Sequence, residues 1–362
     1  MTGIPLSILI LAVSATARVE SAAAQNVTLA AAVERAVDES VAAPLRDRRF
    51  SGVVLVEKDG RVLVRKAYGL ADRERVIPNT PDTPFMLMSV SKQFTAALIV
   101  RLAAQGRLGL HDRVSDYLAD WPVEWDAVTI HDLLTHSAGT DIDTTYFWLI
   151  RHHPQYWPDP AETPPEYKPR ALVTTPGTTF LYANVGYTLL SMIASAATGR
   201  PFDELMREEV FCPLGMNDTQ PERSGRIPGR ARGYRRTEDG FALQEQKTTD
   251  IVGAGDLVST VDDLASWDRA LSDDRFLSSS LRSAMLTPYV TGKYGGVGYG
   301  WFFRTGNDER QLQFHAGDGA GFRAWNYRIS EAGVTIIVLS NVGEHEASWV
   351  TALRDAITKV LD

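Results

Sequence analysis

Apolar residues recur at helical spacing from Val27 to about Asp47, which predicts a first helix. Two β-rich runs follow, Phe50 to Lys58 and Arg61 to Tyr68, around Asp59-Gly60, a strong hairpin signal. A turn-rich stretch from Pro78 to Pro84 leads into a long apolar helix that carries Ser89 near its start and stops near Gln105-Gly106. Leu110 to Leu118 reads as a short turn or helix, and Thr129 caps another helix through His136. Tyr187 to Thr198, Phe202 to Phe211 and Thr260 to Leu271 also have helical period, the last opened by Ser259-Thr260-Val261-Asp262 as a capping motif. Gly215 to Gln246 is polar and reads as loop. The last third returns to strands at Tyr299 to Arg304, Gln311 to His315, Ala324 to Ile329 and Val334 to Ser340, then closes with a helix from about Glu346 to Leu361. Strands at both ends with helices between predict an α+β fold, in which both termini build one antiparallel sheet with flanking helices and the middle of the chain inserts a helical lobe.

Composition changes this picture little. The chain has 362 residues, 44% hydrophobic and 23% charged, enough for one large domain or two packed lobes. Its net charge of -8 is spread along the sequence, so neither nucleic acid nor an anionic membrane surface is expected as a partner. The N-terminus is different: a short apolar run from Ile4 to Val13 precedes small residues through Ala22-Ala23-Ala24. Residues 1–24 read as a secretory signal peptide, although no Lys or Arg precedes the run. The expectation is export to a periplasmic or extracellular location, with residues 25–362 as the mature domain and no membrane span. Cys212 is the only cysteine, in apolar company, and reads as a structural thiol. No His-x-x-x-His or cysteine cluster suggests a metal, and no cofactor is expected.

Candidate chemistry starts at Ser89-Val90-Ser91-Lys92. Residues three apart share a helix face, so the lysine amine can reach the serine hydroxyl. A serine is a weak nucleophile until a base takes its proton, and an apolar wall eases loss of charge from a lysine. Taken alone, a Ser-x-x-Lys more often means a helix cap and a solvated lysine. Two further stretches change that balance. Tyr182-Ala183-Asn184 can direct a phenol and an amide into one site, the phenol as proton acceptor and donor, the amide to hold a substrate carbonyl and orient Lys92. His315-Ala316-Gly317-Asp318-Gly319 is a strand running into a glycine-rich turn, where backbone can approach a ligand and N–H groups can face an oxyanion. Between the first two lies Asp141 to Thr175, rich in rings and prolines; it reads as a loop excursion over a cleft, with Tyr156 and Trp157 shaping a substrate pocket.

In this order the three motifs resemble those of the penicillin-recognising serine hydrolases, most closely the class C β-lactamase branch with its esterase, D-aminopeptidase and D-Ala-D-Ala carboxypeptidase relatives. Leu133-Leu134-Thr135-His136-Ser137-Ala138-Gly139, Pro213-Leu214-Gly215-Met216 and Tyr299-Gly300-Trp301 also look like this family. The resemblance covers Phe50 to the C-terminus and implies a β-lactamase/transpeptidase-like fold. It implies that Ser89 is acylated and that Lys92 and Tyr182 share the proton. Asn184 would position the acyl group, and the backbone N–H groups of Ser89 and Asp318 would form the oxyanion hole. Relatives that hydrolyse β-lactams usually carry Lys-Thr-Gly at the third motif, where His315-Ala316-Gly317 stands here. That substitution favours small esters or D-amino-acid peptides over β-lactams as substrates, since histidine is at most partly charged near neutral pH. Asp318 would repel a substrate carboxylate unless Arg323 compensates. A non-catalytic or slowly deacylating penicillin-binding sensor is the alternative of another class. The oligomeric state is left open.

Overall fold

The computed structural model describes residues 27–140, 149, 152, 171–225, 227–244, 251–306, 309–343 and 348–361. The expected leader at 1–24, and Tyr156 and Trp157, lie outside the described residues. In chain order the main helices are α1 (residues 27–46), α2 (Lys92–Ala104), α3 (Ile130–Leu134), α4 (Asn184–Thr198), α5 (Phe202–Leu205, continued by π-type turns over Met206–Phe211), α6 (Val261–Ala270), α7 (Ser279–Met285) and α8 (Ser348–Leu361). The main strands are β1 (Gly52–Lys58), β2 (Arg61–Tyr68), β3 (Gly233–Arg236), β4 (Phe241–Gln244), β5 (Val290–Gly292), β6 (Gly295–Val297), β7 (Phe302–Thr305), β8 (Gln311–Gly319), β9 (Phe322–Ile329) and β10 (Val334–Ser340).

Eight strands form one antiparallel sheet in the order β5-β6-β7-β8-β9-β10-β1-β2. The N-terminal hairpin joins it through β1 and β10, with Val54 opposite Val338 and Leu55 opposite Ile337. These two strands are apolar on both faces because each face packs on a core. Val53, Leu55, Ile337 and Leu339 belong to the core shared with the helical lobe. Val54, Val56, Ile336 and Val338 belong to a second core, closed by Val33 and Val37 of α1 and by Trp349, Leu353 and Ile357 of α8. The terminal helices therefore cover one face of the sheet and the middle of the chain covers the other, as the strand–helix–strand pattern predicts. Helix α2 lies inside the lobe and is buried on nearly all sides, which removes Lys92 from water together with its apolar neighbours. No helix among the described residues is long and apolar enough to cross a membrane.

Four local expectations differ from the structure. The polar stretch 215–246 contains the hairpin β3–β4 around Asp239-Gly240, the same dipeptide signal as at Asp59-Gly60 but flanked by polar residues. The N-cap of α6 is Thr260, whose hydroxyl accepts from Asp263 N at 3.3 Å, one residue later than the expected Ser259. Cys212 is exposed. Strand β8 does not end at His315 but runs on to Gly319, with the turn at Ala320 and Gly321.

Candidate active site

Ser89 stands on a single 3-10 turn, Met88–Ser91, that feeds directly into α2. Met88 holds φ = 49°, an uncommon conformation for a residue with a side chain, and this sharp entry leaves Ser89 half-exposed between buried Met88 and Val90. The turn is pinned from the other side. Leu87 N donates to Leu257 O at 2.8 Å, and the buried Ser91 hydroxyl accepts from Leu257 N at 3.2 Å. Ser91 is thus a structural anchor, whereas Ser89 is half-exposed.

Lys92 has no exposed surface. Its Nζ donates to Asn184 Oδ1 at 2.9 Å and to the Ala254 carbonyl at 2.7 Å, and it lies 5.0 Å from the centre of the Tyr182 ring. Desolvation, with no carboxylate among the described residues to offset it, lowers the amine's pKa well below the ordinary value. A neutral amine has two N–H bonds and one lone pair. Both N–H bonds have acceptors here, so the lone pair remains for a proton. Tyr182, half-buried, is hydrogen-bonded to the Ser89 hydroxyl. Desolvation raises its pKa well above the ordinary value and outweighs the opposite effect of that bond, so the phenol keeps its proton. Asn184 is the first residue of α4, and its exposed side chain ends on Lys92.

The acceptor at Ala254 is itself held. Gly253, at φ = 73°, turns the backbone where a Cβ would lie 2.9 Å from the Tyr187 carbonyl oxygen. Gly253 O accepts from Thr95 Oγ1 at 2.6 Å, three residues along α2 from Lys92. Buried Asp256 accepts from Gly253 N at 2.9 Å through Oδ1 and pairs with Arg223, which also pairs with Asp203. Asp256 thereby braces the turn that offers its carbonyl to Lys92, a role that sequence alone leaves without explanation.

Strand β8 closes the site. Strand β7 pairs only with residues 311–314, so the next residues of β8 present that edge to the site rather than to β7. A Cβ on Gly317 would overlap the Leu87 carbonyl oxygen and lie 3.0 Å from Met88 Cβ. Gly317 therefore rests directly on the Ser89 turn. Alternate residues of a strand share a face, so His315 points to that same side and Asp318 to the other. His315 is 2% exposed. Its Nδ1–H donates to Ala316 O at 2.9 Å, since a carbonyl can only accept, and its buried Nε2 has no partner among the described residues. Burial and the Lys92 charge bring its pKa down to about 3, so the ring is neutral at any ordinary pH.

The structure thus brings Ser89, Lys92, Tyr182, Asn184, His315 and Gly317 together. It does not bring in the side chains of Asp318 and Arg323. These are cross-strand neighbours, paired Nε to Oδ1 at 2.9 Å, with Arg323 alongside Trp325 on the face packed by the terminal helices. Only the backbone of Asp318 borders the site. One neighbour of Tyr182 was not singled out from sequence: His136, stacked on the phenol with ring centres 4.4 Å apart. Among the described residues no group of three or more His, Cys, Asp or Glu side chains could hold a metal ion.

A buried lysine beside a serine at a helix start, facing a sheet edge, defines the class of β-lactamase-fold serine hydrolases. Residues 29–357 match the family described as Beta-lactamase, and the chain belongs to that family. It is similar to penicillin-binding protein 4* of Bacillus subtilis, 27% identical over 86% of this chain and 72% of the relative. It is also similar to a D-aminopeptidase of Gluconobacter oxydans, 29% identical over 83% of this chain and 57% of the relative. Among solved structures, the octameric penicillin-binding protein homologue from Pyrococcus abyssi superposes with a TM-score of 0.76 at 27% identity, over 90% of this chain and 76% of the homologue.

Proposed function

We propose that the protein hydrolyses small esters or D-amino-acid amides and peptides through an acyl-enzyme on Ser89. The observation that carries this reading is the fully buried Lys92, three residues on from Ser89, with both N–H bonds of its neutral form engaged and its lone pair left for a proton. Ser89 Oγ attacks the substrate carbonyl carbon while Lys92 accepts the hydroxyl proton. The oxyanion accepts hydrogen bonds from the backbone N–H groups of Ser89 and Asp318. Collapse breaks the bond to the alcohol or amine, which leaves with a proton delivered through Tyr182 and Lys92. Water then attacks the acyl carbon, releases the acid and restores Ser89. Lys92 and Tyr182 titrate as a pair in this cycle.

The choice among substrates follows from His315. A buried, neutral imidazole with its one donor already engaged brings no positive charge to this position. A substrate carboxylate therefore finds no cation in His315. D-amino-acid amides, which the similarity to a D-aminopeptidase also favours, and simple esters therefore rank above β-lactams. Steady-state kinetics on p-nitrophenyl acetate, D-alanine p-nitroanilide and nitrocefin test the ranking. The expected kcat/KM for the better of the first two exceeds that for nitrocefin by at least about tenfold. A preference for nitrocefin would overturn it.

A further inference from the structure

We propose that His136 is a positioning residue of this reaction, a bracket that mounts the Tyr182 phenol between Ser89 and Lys92. The proposal rests on the acyl-enzyme reading above. His136 lies just past the end of α3 and is 4% exposed, at φ = 55°. Both residues that flank Tyr182 hang on it. Leu181 N donates to His136 O at 2.7 Å, and Ala183 N donates to His136 Nδ1 at 3.3 Å. The imidazole face covers the Tyr182 ring at 30° between planes, and its centre is also 5.0 Å from that of Tyr187. The phenol is therefore held by its backbone on either side and by its ring.

The bracket is rigid. A capping box joins Thr129 and Asp132 at the start of α3. Beyond its end, the Thr135 and Ser137 hydroxyls are 2.7 Å apart, and Ser137 N donates to Asp132 O at 2.8 Å. The imidazole must stay neutral to do this work. Protonation would turn Nδ1 into a donor and oppose the Ala183 N–H. It would also set a cation beside Lys92 and oppose the amine's uptake of a proton. Desolvation first, then the Lys92 charge, hold the pKa well below the ordinary value. His136 is not itself a proton carrier to the phenol, because Nδ1 is occupied by Ala183 and the ring meets Tyr182 face to face.

The left-handed backbone at His136 suits Asn and Gly, so two substitutions probe the side chain without straining the chain. His136→Asn keeps a short acceptor and loses the ring; His136→Gly loses both. The measurements are kcat and KM on p-nitrophenyl acetate, the second-order rate of fluorophosphonate labelling, and Tm, for wild type and both variants. Misplacing a reacting group by about 1 Å can cost about a hundredfold. The expected result is a fall in kcat and labelling rate of about tenfold for His136→Asn and about a hundredfold for His136→Gly, with KM within about twofold. Unchanged rates in folded variants, or a raised KM at constant kcat, would overturn the proposal while leaving the acyl-enzyme reading intact. A wild type that neither labels nor turns over ester would overturn both. If His136→Gly does not fold, the kcat and KM of His136→Asn decide.

Discussion

A lysine amine enclosed by Asn184, the Ala254 carbonyl and two tyrosine rings has lost its hydration without gaining a counter-ion among the described residues. Its charged form is the one that pays, so its pKa in the folded protein falls below that of the unfolded chain. Two consequences follow at the residue scale. Acylation needs the neutral amine, so its rate should fall as pH drops through the folded pKa of Lys92. Stability should fall earlier, as pH drops from the ordinary lysine range to that folded pKa, because over this interval the unfolded chain binds the proton more readily, and it should level off below. Lys92→Arg keeps a permanent charge, and we expect it to reduce fluorophosphonate labelling by at least about a hundredfold at any pH. Restoration of labelling in that variant at high pH would contradict the assignment of Lys92 as base. The Ser-x-x-Lys spacing was readable because nucleophile and base sit one turn apart. His136 was not, because its contact with Tyr182 crosses 46 positions of sequence and depends on the stacked geometry.

At the scale of elements, the fit of β8 against the Ser89 turn depends on the missing side chain at Gly317. Gly317→Ala must push the strand or the turn aside, and overpacking of this kind costs about 1–3 kcal/mol. The expected result is a lower Tm together with a loss of labelling larger than the loss of folded protein, read by labelling and circular dichroism on the same sample. The strand also shows where sequence reading stopped short. With β8 taken to end at His315, Asp318 falls in a turn beside the substrate. With β8 running to Gly319, alternation sends its carboxylate through to the other face, where Arg323 meets it. Likewise the β3–β4 hairpin was hidden by its polar composition, although Asp239-Gly240 marks it. Main strands with apolar faces, such as β1 and β10, were legible because burial on both sides leaves a continuous apolar run.

Across the whole molecule, sheet and helical lobe are joined by a buried polar cluster behind the site. Trp267 Nε1 donates to Gln93 Oε1 at 3.0 Å, and Asn326 Nδ2 donates to the same oxygen at 3.2 Å and to Asp268 Oδ1 at 3.5 Å. Burial, only partly offset by Arg328, raises the pKa of Asp268 to about 7. Its folded pKa exceeds the unfolded one, so the stability it confers is complete below the ordinary carboxylate range and is lost as pH rises through about 7. Asp268→Asn should therefore flatten the decline of Tm between acid and mildly alkaline pH and be the more stable protein above pH 7. A parallel decline in both proteins would show that Asp268 is ionised throughout. The joining of two lobes by both termini was legible from the order of strands and helices. This cluster was not, since each of its members looks like an ordinary polar residue in an amphipathic element.

The central claim is that Ser89 is an activated nucleophile, and intact mass after exposure to a fluorophosphonate probe tests it most directly. The account predicts one adduct on the wild-type protein and none on Ser89→Ala. An unmodified wild-type protein that is correctly folded, or an adduct that survives in Ser89→Ala, would contradict it.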